Sequence, residues 1–342
     1  MKLPNAITRI LKLFEENGYE AYIVKEAVYC YLLGLDIEEY EMITSAPPFS
    51  LKKEELPKNL QIHYQMTKSS YYKTCDLTTM TILYKPHQII DDFHALKDLE
   101  EKRLIPFSKE ISLETLIMAL YLGAKYDFSF HPFLEHEFIQ PKAYSKNMHS
   151  GCILLKLIQE EKASLFFRKY QAFFSSFFPI SSFGIEVFSY INASLELKLS
   201  GLCVDWNLLK VEEVFKSLGV SEPLSQEVQR TLSLLKISHI EALSEEDMTR
   251  WFILKRALAL ANKNIKDAMK LEQLAEVQKK KRRNEIKIEE LAIDLVDLEE
   301  MGYTKQQGRI VLRELLIRVN QSEIPNTYEV LLAKAYQYKQ WN

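Results

Sequence analysis

Glu39 and Glu41 are the residues of this chain whose type and spacing point most directly to chemistry. They stand two positions apart where Tyr40–Thr44 begins to alternate apolar and polar side chains. On a strand, residues at i and i+2 project from the same face, and paired carboxylates so placed can hold divalent cations. The same two acids sit beside Asp36 and Glu38, so a solvated acidic turn accounts for them equally well.

The chain has one basic block, Lys279, Lys280, Lys281, Arg282 and Arg283, with Lys287 nearby. Such a run can neutralise nucleic-acid phosphates in a salt-dependent, sequence-insensitive way. A solvated helix face or a linker is the plain alternative. His131 and His136 stand close to Glu135 and Glu137, but not at the spacing of helical zinc sites, and no metal site is expected there. Cys75, next to Asp76, has no histidine in a useful sequence context and reads as a buried thiol.

The elements that must position these residues are mostly helical. Only 9 Gly and 11 Pro interrupt 342 residues, of which 47% are apolar and 27% charged, a composition ordinary for a globular protein of two or more domains. A net charge of −3 gives no global pull towards nucleic acid, so RNA binding has to come from local patches. The four cysteines are scattered without C-x-x-C spacing and read as reduced thiols. No apolar run reaches the length of a membrane span, and the N-terminus lacks a signal-peptide core. The expectation is a soluble, cytoplasmic protein with no membrane contact.

Ile7, Ile10, Leu11 and Phe14 share a helical face, and Gly18 ends that helix. A short strand is predicted at Ala21–Val24, a helix at residues 26–33 closed by Gly34, and a second strand at Tyr40–Thr44. Residues 47–75 read as polar and irregular, without a further strand. An apolar helix is predicted at 113–128, and helical periodicity continues from residue 150. The cluster Phe166, Phe167, Phe173, Phe174, Phe177 and Phe178 reads as packing between helices.

Residues 22–48 carry a recognisable frame in Val24, Val28, Leu32, Leu33, Gly34, Thr44, Ala46 and Pro48. It resembles the head motif of the Bacillus-type class II CCA-adding tRNA nucleotidyltransferase and poly(A) polymerase family: Val-Gly-Gly-x-Val-Arg-Asp-x-Leu-Leu-Gly, then Asp-x-Asp-Ile-x-Thr-x-Ala-x-Pro. Residues 76–84 and 89–99 resemble the family's next two segments. The reactive letters differ. Gly-Gly is Lys25-Glu26, Arg-Asp is Tyr29-Cys30, and the metal-binding Asp pair is Glu39 and Glu41. In the neck motif, the base-reading Asp falls on Ser112, and the three arginines fall on Thr115, Met118 and Tyr121.

The resemblance implies an α+β fold: a small mixed α/β nucleotidyltransferase head (1–92) followed by an all-α neck (93–150), body (151–278) and tail (279–342). In the family two metal ions on the carboxylates activate a 3′-hydroxyl and neutralise the leaving pyrophosphate. Here each carboxylate is a methylene longer, and misplacement by about 1 Å can cost roughly 100-fold in rate. Side chains replace the glycines that let backbone N–H groups approach a triphosphate. Neither Tyr29 nor Cys30 offers a guanidinium fork. No charged group remains at Ser112, Thr115 or Met118 to read a base. The implied function is binding of tRNA or tRNA-like RNA by a pseudoenzyme that needs no cofactor. One alternative is an active enzyme with Mg2+ on Glu39 and Glu41. Another is an interaction module that pairs with an active paralogue and binds no RNA.

Overall fold

The computed structural model describes residues 3–48, 56–142, 144, 148–237, 240–283, 286–320 and 323–340. The chain divides into two compact units, Met1–Asn264 and Ile265–Asn342. The first opens with α1 (Asn5–Glu16), β1 (Ala21–Val24), α2 (Glu26–Leu32), β2 (Tyr40–Thr44), β3 (Leu60–His63), α3 (Lys68–Tyr72), β4 (Leu83–Lys85), β5 (Gln88–Ile90), α4 (Leu96–Glu100) and β6 (Arg103–Leu104). It continues with α5 (Leu113–Tyr126), β7 (Ser129–Phe130) and α6 (Pro132–Ile139). The rest of the unit is helical: α7 (Met148–Gln159), α8 (Ala163–Lys169), α9 (Gln171–Ser175), α10 (Ser182–Ser189), α11 (Leu195–Leu202), α12 (Leu208–Ser217), α13 (Glu222–Leu234) and α14 (Glu245–Ala261). The second unit holds α15 (Ile265–Arg283), α16 (Leu295–Glu300), α17 (Lys305–Asn320) and α18 (Tyr328–Gln340).

The head is a five-stranded mixed sheet in the order β3-β2-β1-β4-β5. Strand β1 is antiparallel to β2, pairing Val24 with Glu41, while β3 runs parallel to β2 and pairs Glu41 with Gln61 and Ile43 with His63. Because side chains alternate across a strand, the sheet has two distinct faces. One face carries Ile23, Met42 and Tyr84 into a core shared with Ile7, Leu11 and Phe14 of α1. The other face carries Val24, Ile43 and Leu83 against Tyr71 and Cys75. Glu41 belongs to this second face by its register.

The predicted α1, β1, α2 and β2 are present, and Gly18 and Gly34 take the positive φ that ends their helices. The expectation of irregular chain across 47–75 is corrected by β3 and α3. Strand β3 is four residues long, half-exposed and at the sheet edge, so its alternation is too brief and too polar to stand out. Of the described residues in 47–75, none on β3 is an Asp or Glu; residues 49–55 lie outside the described residues.

The phenylalanine cluster is core as expected. Phe167, Phe173, Phe174, Phe177 and Phe178 are all buried, and Phe167 stacks on Phe174 at 4.1 Å between centroids. Ring stacking and edge contacts of this kind add about 0.5–1.5 kcal/mol each beyond area burial. In the second unit, Leu298, Leu315, Leu331 and Ala335 form a separate core, with the Tyr303 hydroxyl donating to the Ala335 carbonyl at 2.6 Å.

Helix α7, which supplies one wall of the site described below, packs tightly against the end of α12. A Cβ on Gly151 would fall 1.8 Å from the Leu218 carbonyl oxygen, a backbone atom that cannot swing aside. Gly151→Ala is therefore expected to lower stability by about 3 kcal/mol, at the upper end of overpacking costs. Urea unfolding of the purified variant measures it.

Candidate functional site

The site begins with a strained turn. Lys25 follows the last residue of β1 and has φ 56° and ψ −131°, a backbone conformation natural to glycine. Holding a side chain there costs on the order of 1–3 kcal/mol unless neighbouring structure fixes it. The fixing contact is visible: Lys25 Nζ donates to Glu41 Oε2 at 2.6 Å. The strand register makes this contact possible, since Glu41 pairs with Val24, the residue just before the turn. His63, brought alongside by the parallel β3, places Nε2 3.2 Å from the same carboxylate oxygen. Burial pushes the Glu41 carboxyl up, but the His63 hydrogen bond and the Lys25 charge outweigh it and hold the group at about 2.

Glu26, the first residue of α2, is bound by α5. Its Oε1 accepts from Tyr126 Oη at 2.6 Å, Lys125 Nζ at 2.8 Å and Tyr121 Oη at 3.0 Å, all on α5. Tyr126 also contacts Cys30 Sγ at 3.2 Å, and the Lys125 ammonium lies 5.3 and 5.1 Å from the two tyrosine ring centroids. Burial raises the Glu26 carboxyl, yet the hydrogen bonds from Lys125 and Tyr126 bring it below its ordinary value. Tyr121 falls where the resemblance places an arginine, and here its hydroxyl satisfies the glutamate that stands in a glycine position.

Glu39 lies just before the first residue of β2, and both acids line the same cleft. The Glu39 carboxylate pairs with Lys156 Nζ of α7 at 2.9 Å. Around these pairs runs a cleft of about 520 Å³ lined by Lys25, Glu41, Lys58, His63, Met118 and Lys156, among others. A smaller recess of about 210 Å³ shares Glu39 and Lys156 and reaches Glu26, Cys30 and Lys125. Tyr29 is buried. The positions matched to base reading separate. Ser112 caps α5 and, with Thr115, donates to Asp76 Oδ2 at 3.0 and 2.6 Å. Met118 alone of the three lines the cleft.

Of the basic block, Lys279 is exposed on α15 and lies 3.8 Å from Glu276; the side chains of Lys280, Lys281, Arg282 and Arg283 lie outside the described residues. His131 accepts from the Phe133 N–H as the cap of α6. No group of three or more His, Cys, Asp or Glu positioned for a metal ion occurs among the described residues. The four cysteines form no disulfide. Sequence reading missed Lys58, His63, Lys125 and Lys156 as site residues. Only Lys125 left a trace, four positions after Tyr121 on one helix face.

Two consequences are measurable. Glu26→Gln weakens three charge-assisted contacts in a half-buried place and is expected to cost about 1.5–3 kcal/mol in urea unfolding. Glu41 is held at about 2 against an ordinary value of 4.5. Its stabilising contribution is therefore complete above pH 4.5 and is lost as pH falls from 4.5 towards 2. At neutral pH this amounts to at most about 3 kcal/mol. Thermal melts of Glu41→Gln should show a flatter pH dependence than the parent across that window.

No model of a known protein family matches the sequence, and no curated protein matches it either. Solved structures do. The Bacillus stearothermophilus CCA-adding enzyme in complex with CTP aligns over 99% of this chain and 98% of its own, with TM-score 0.63 and 16% identity. A CCA-adding enzyme complexed with CTP aligns over 98% and 96%, with TM-score 0.60 and 14% identity. A tRNA nucleotidyltransferase complexed with a primer tRNA and an incoming ATP analogue aligns over 80% and 99%, with TM-score 0.53 and 15% identity. With so few identities retained over so complete an alignment, the chain has the fold of the CCA-adding enzymes, a nucleotidyltransferase head followed by helices.

Proposed function

We propose that this chain binds tRNA or a tRNA-like RNA on a CCA-adding fold from which nucleotidyl transfer has been lost or strongly reduced. One observation carries the proposal: both carboxylates that would hold metal are neutralised by the protein's own lysines, Lys25 on Glu41 and Lys156 on Glu39. Magnesium requires several oxygen ligands in near-octahedral array. Glu41 Oε2 already accepts from Lys25 and His63, and Glu39 Oε2 from Lys156. This donor set does not fit magnesium.

The loss extends to the substrate groups. Lys25 and Glu26 occupy the turn that would cradle a triphosphate, and Ser112 and Thr115 are spent on Asp76. RNA contact would come from Lys279, Lys280, Lys281, Arg282 and Arg283, on or at the end of α15. Free thiols at Cys30, Cys75, Cys152 and Cys203 suit a reducing, cytoplasmic setting.

Incubating the protein with labelled CTP, ATP, magnesium and tRNA lacking its CCA end is expected to give no incorporation above background. Label that disappears in Glu39→Gln and Glu41→Gln would instead establish an active enzyme with those acids as metal ligands. Mobility shifts with tRNA are expected to weaken as salt rises. Replacing Lys279, Lys280 and Lys281 with Ala should reduce the salt slope by about 0.9 for each phosphate that is no longer neutralised. Absence of a shift even at low salt rejects RNA binding and leaves a protein-interaction module, with an active paralogue as the partner to seek.

A further inference from the structure

We propose that the 520 Å³ cleft is a phosphate site that works without a divalent cation, taking a phosphomonoester of nucleotide size against the ammonium groups of Lys25, Lys58 and Lys156. The proposal rests on the preceding one only in expecting the ligand to derive from RNA. Its physical basis is the charge arrangement of the cleft walls.

Three lysines face two glutamates there. Lys25 and Lys156 each carry one carboxylate, at 2.6 and 2.9 Å. Lys58 is exposed at the rim and has no carboxylate partner among the described residues. Among the described lining residues the lysines therefore outnumber the glutamates before His63 is counted. An ammonium has three donors, so Lys25 and Lys156 each keep two after binding their glutamate. A phosphomonoester dianion can accept from these remaining donors without breaking either ion pair. A metal ion approaching either carboxylate would meet an ammonium group already seated on it.

The strained turn adds preorganisation. Lys25 is pinned by its backbone and by Glu41, so little rotamer freedom is left to lose when an anion arrives. In effect the Lys25 ammonium is a resident cation on the Glu41 carboxylate. The size of the cleft falls in the range of small-ligand sites, roughly 300–1,000 Å³. Met118 and Ile153 supply an apolar wall beside the charged groups, suited to the face of a base or sugar.

Calorimetric titration of the full chain with CMP in EDTA tests this, with cytidine and inorganic phosphate as separate arms. CMP is expected to bind at least tenfold more tightly than either, with no gain on adding magnesium. Lys58→Ala and Lys156→Ala should each weaken CMP about three- to tenfold while leaving the circular dichroism spectrum unchanged. Equal binding of CMP and cytidine, equal binding of CMP and inorganic phosphate, or nucleotide binding that appears only with magnesium would overturn the proposal. Running the tRNA mobility shift in parallel separates the two ideas. A shift without CMP binding removes the cleft proposal alone, and CMP binding without a shift removes the RNA proposal alone.

Discussion

A half-buried carboxylate between α2 and α5 must be satisfied by hydrogen-bond donors, and Glu26 sets that demand. Its three donors lie 95 to 100 residues further along the chain, on a single helix. Removing one partner from such a cluster strands the others away from water, a larger penalty than the contact is worth alone. The head is therefore held in one relation to α5, and the positions of Lys25, Glu41 and the cleft follow from it. A glycine at position 26 would make no such demand.

The second constraint is electrostatic. A turn shaped for glycine has been given a lysine, and its amine reaches the acid across the β1–β2 pair. The arrangement seats an ammonium group on the carboxylate and leaves two of its donors for other partners. Glu39 and Lys156 repeat the arrangement from the other wall. Each pair is modest by itself, since half-exposed ion pairs contribute little to stability. Their effect is on what the cleft can accept.

Parts of this were legible beforehand for clear physical reasons. Helix α1 showed a full apolar stripe, and Gly18 and Gly34 marked ends that need positive φ. The phenylalanines around residue 170 had the spacing of a buried helical face. Strand β3 was invisible because an edge strand of four residues leaves no pattern to detect. The role of His63 was hidden with it.

The sequence by itself determined the first helices and strands, α1, β1, α2 and β2, and the apolar frame around residues 22–48. These are local properties, written in residue type and period. Tertiary structure alone decided which charges meet. Lys156 finds Glu39 from 117 positions away and Lys125 finds Glu26 from 99. Coulombic attraction depends on distance in space and on exclusion of water, and neither is fixed until the sheet and the helices of the first unit have packed.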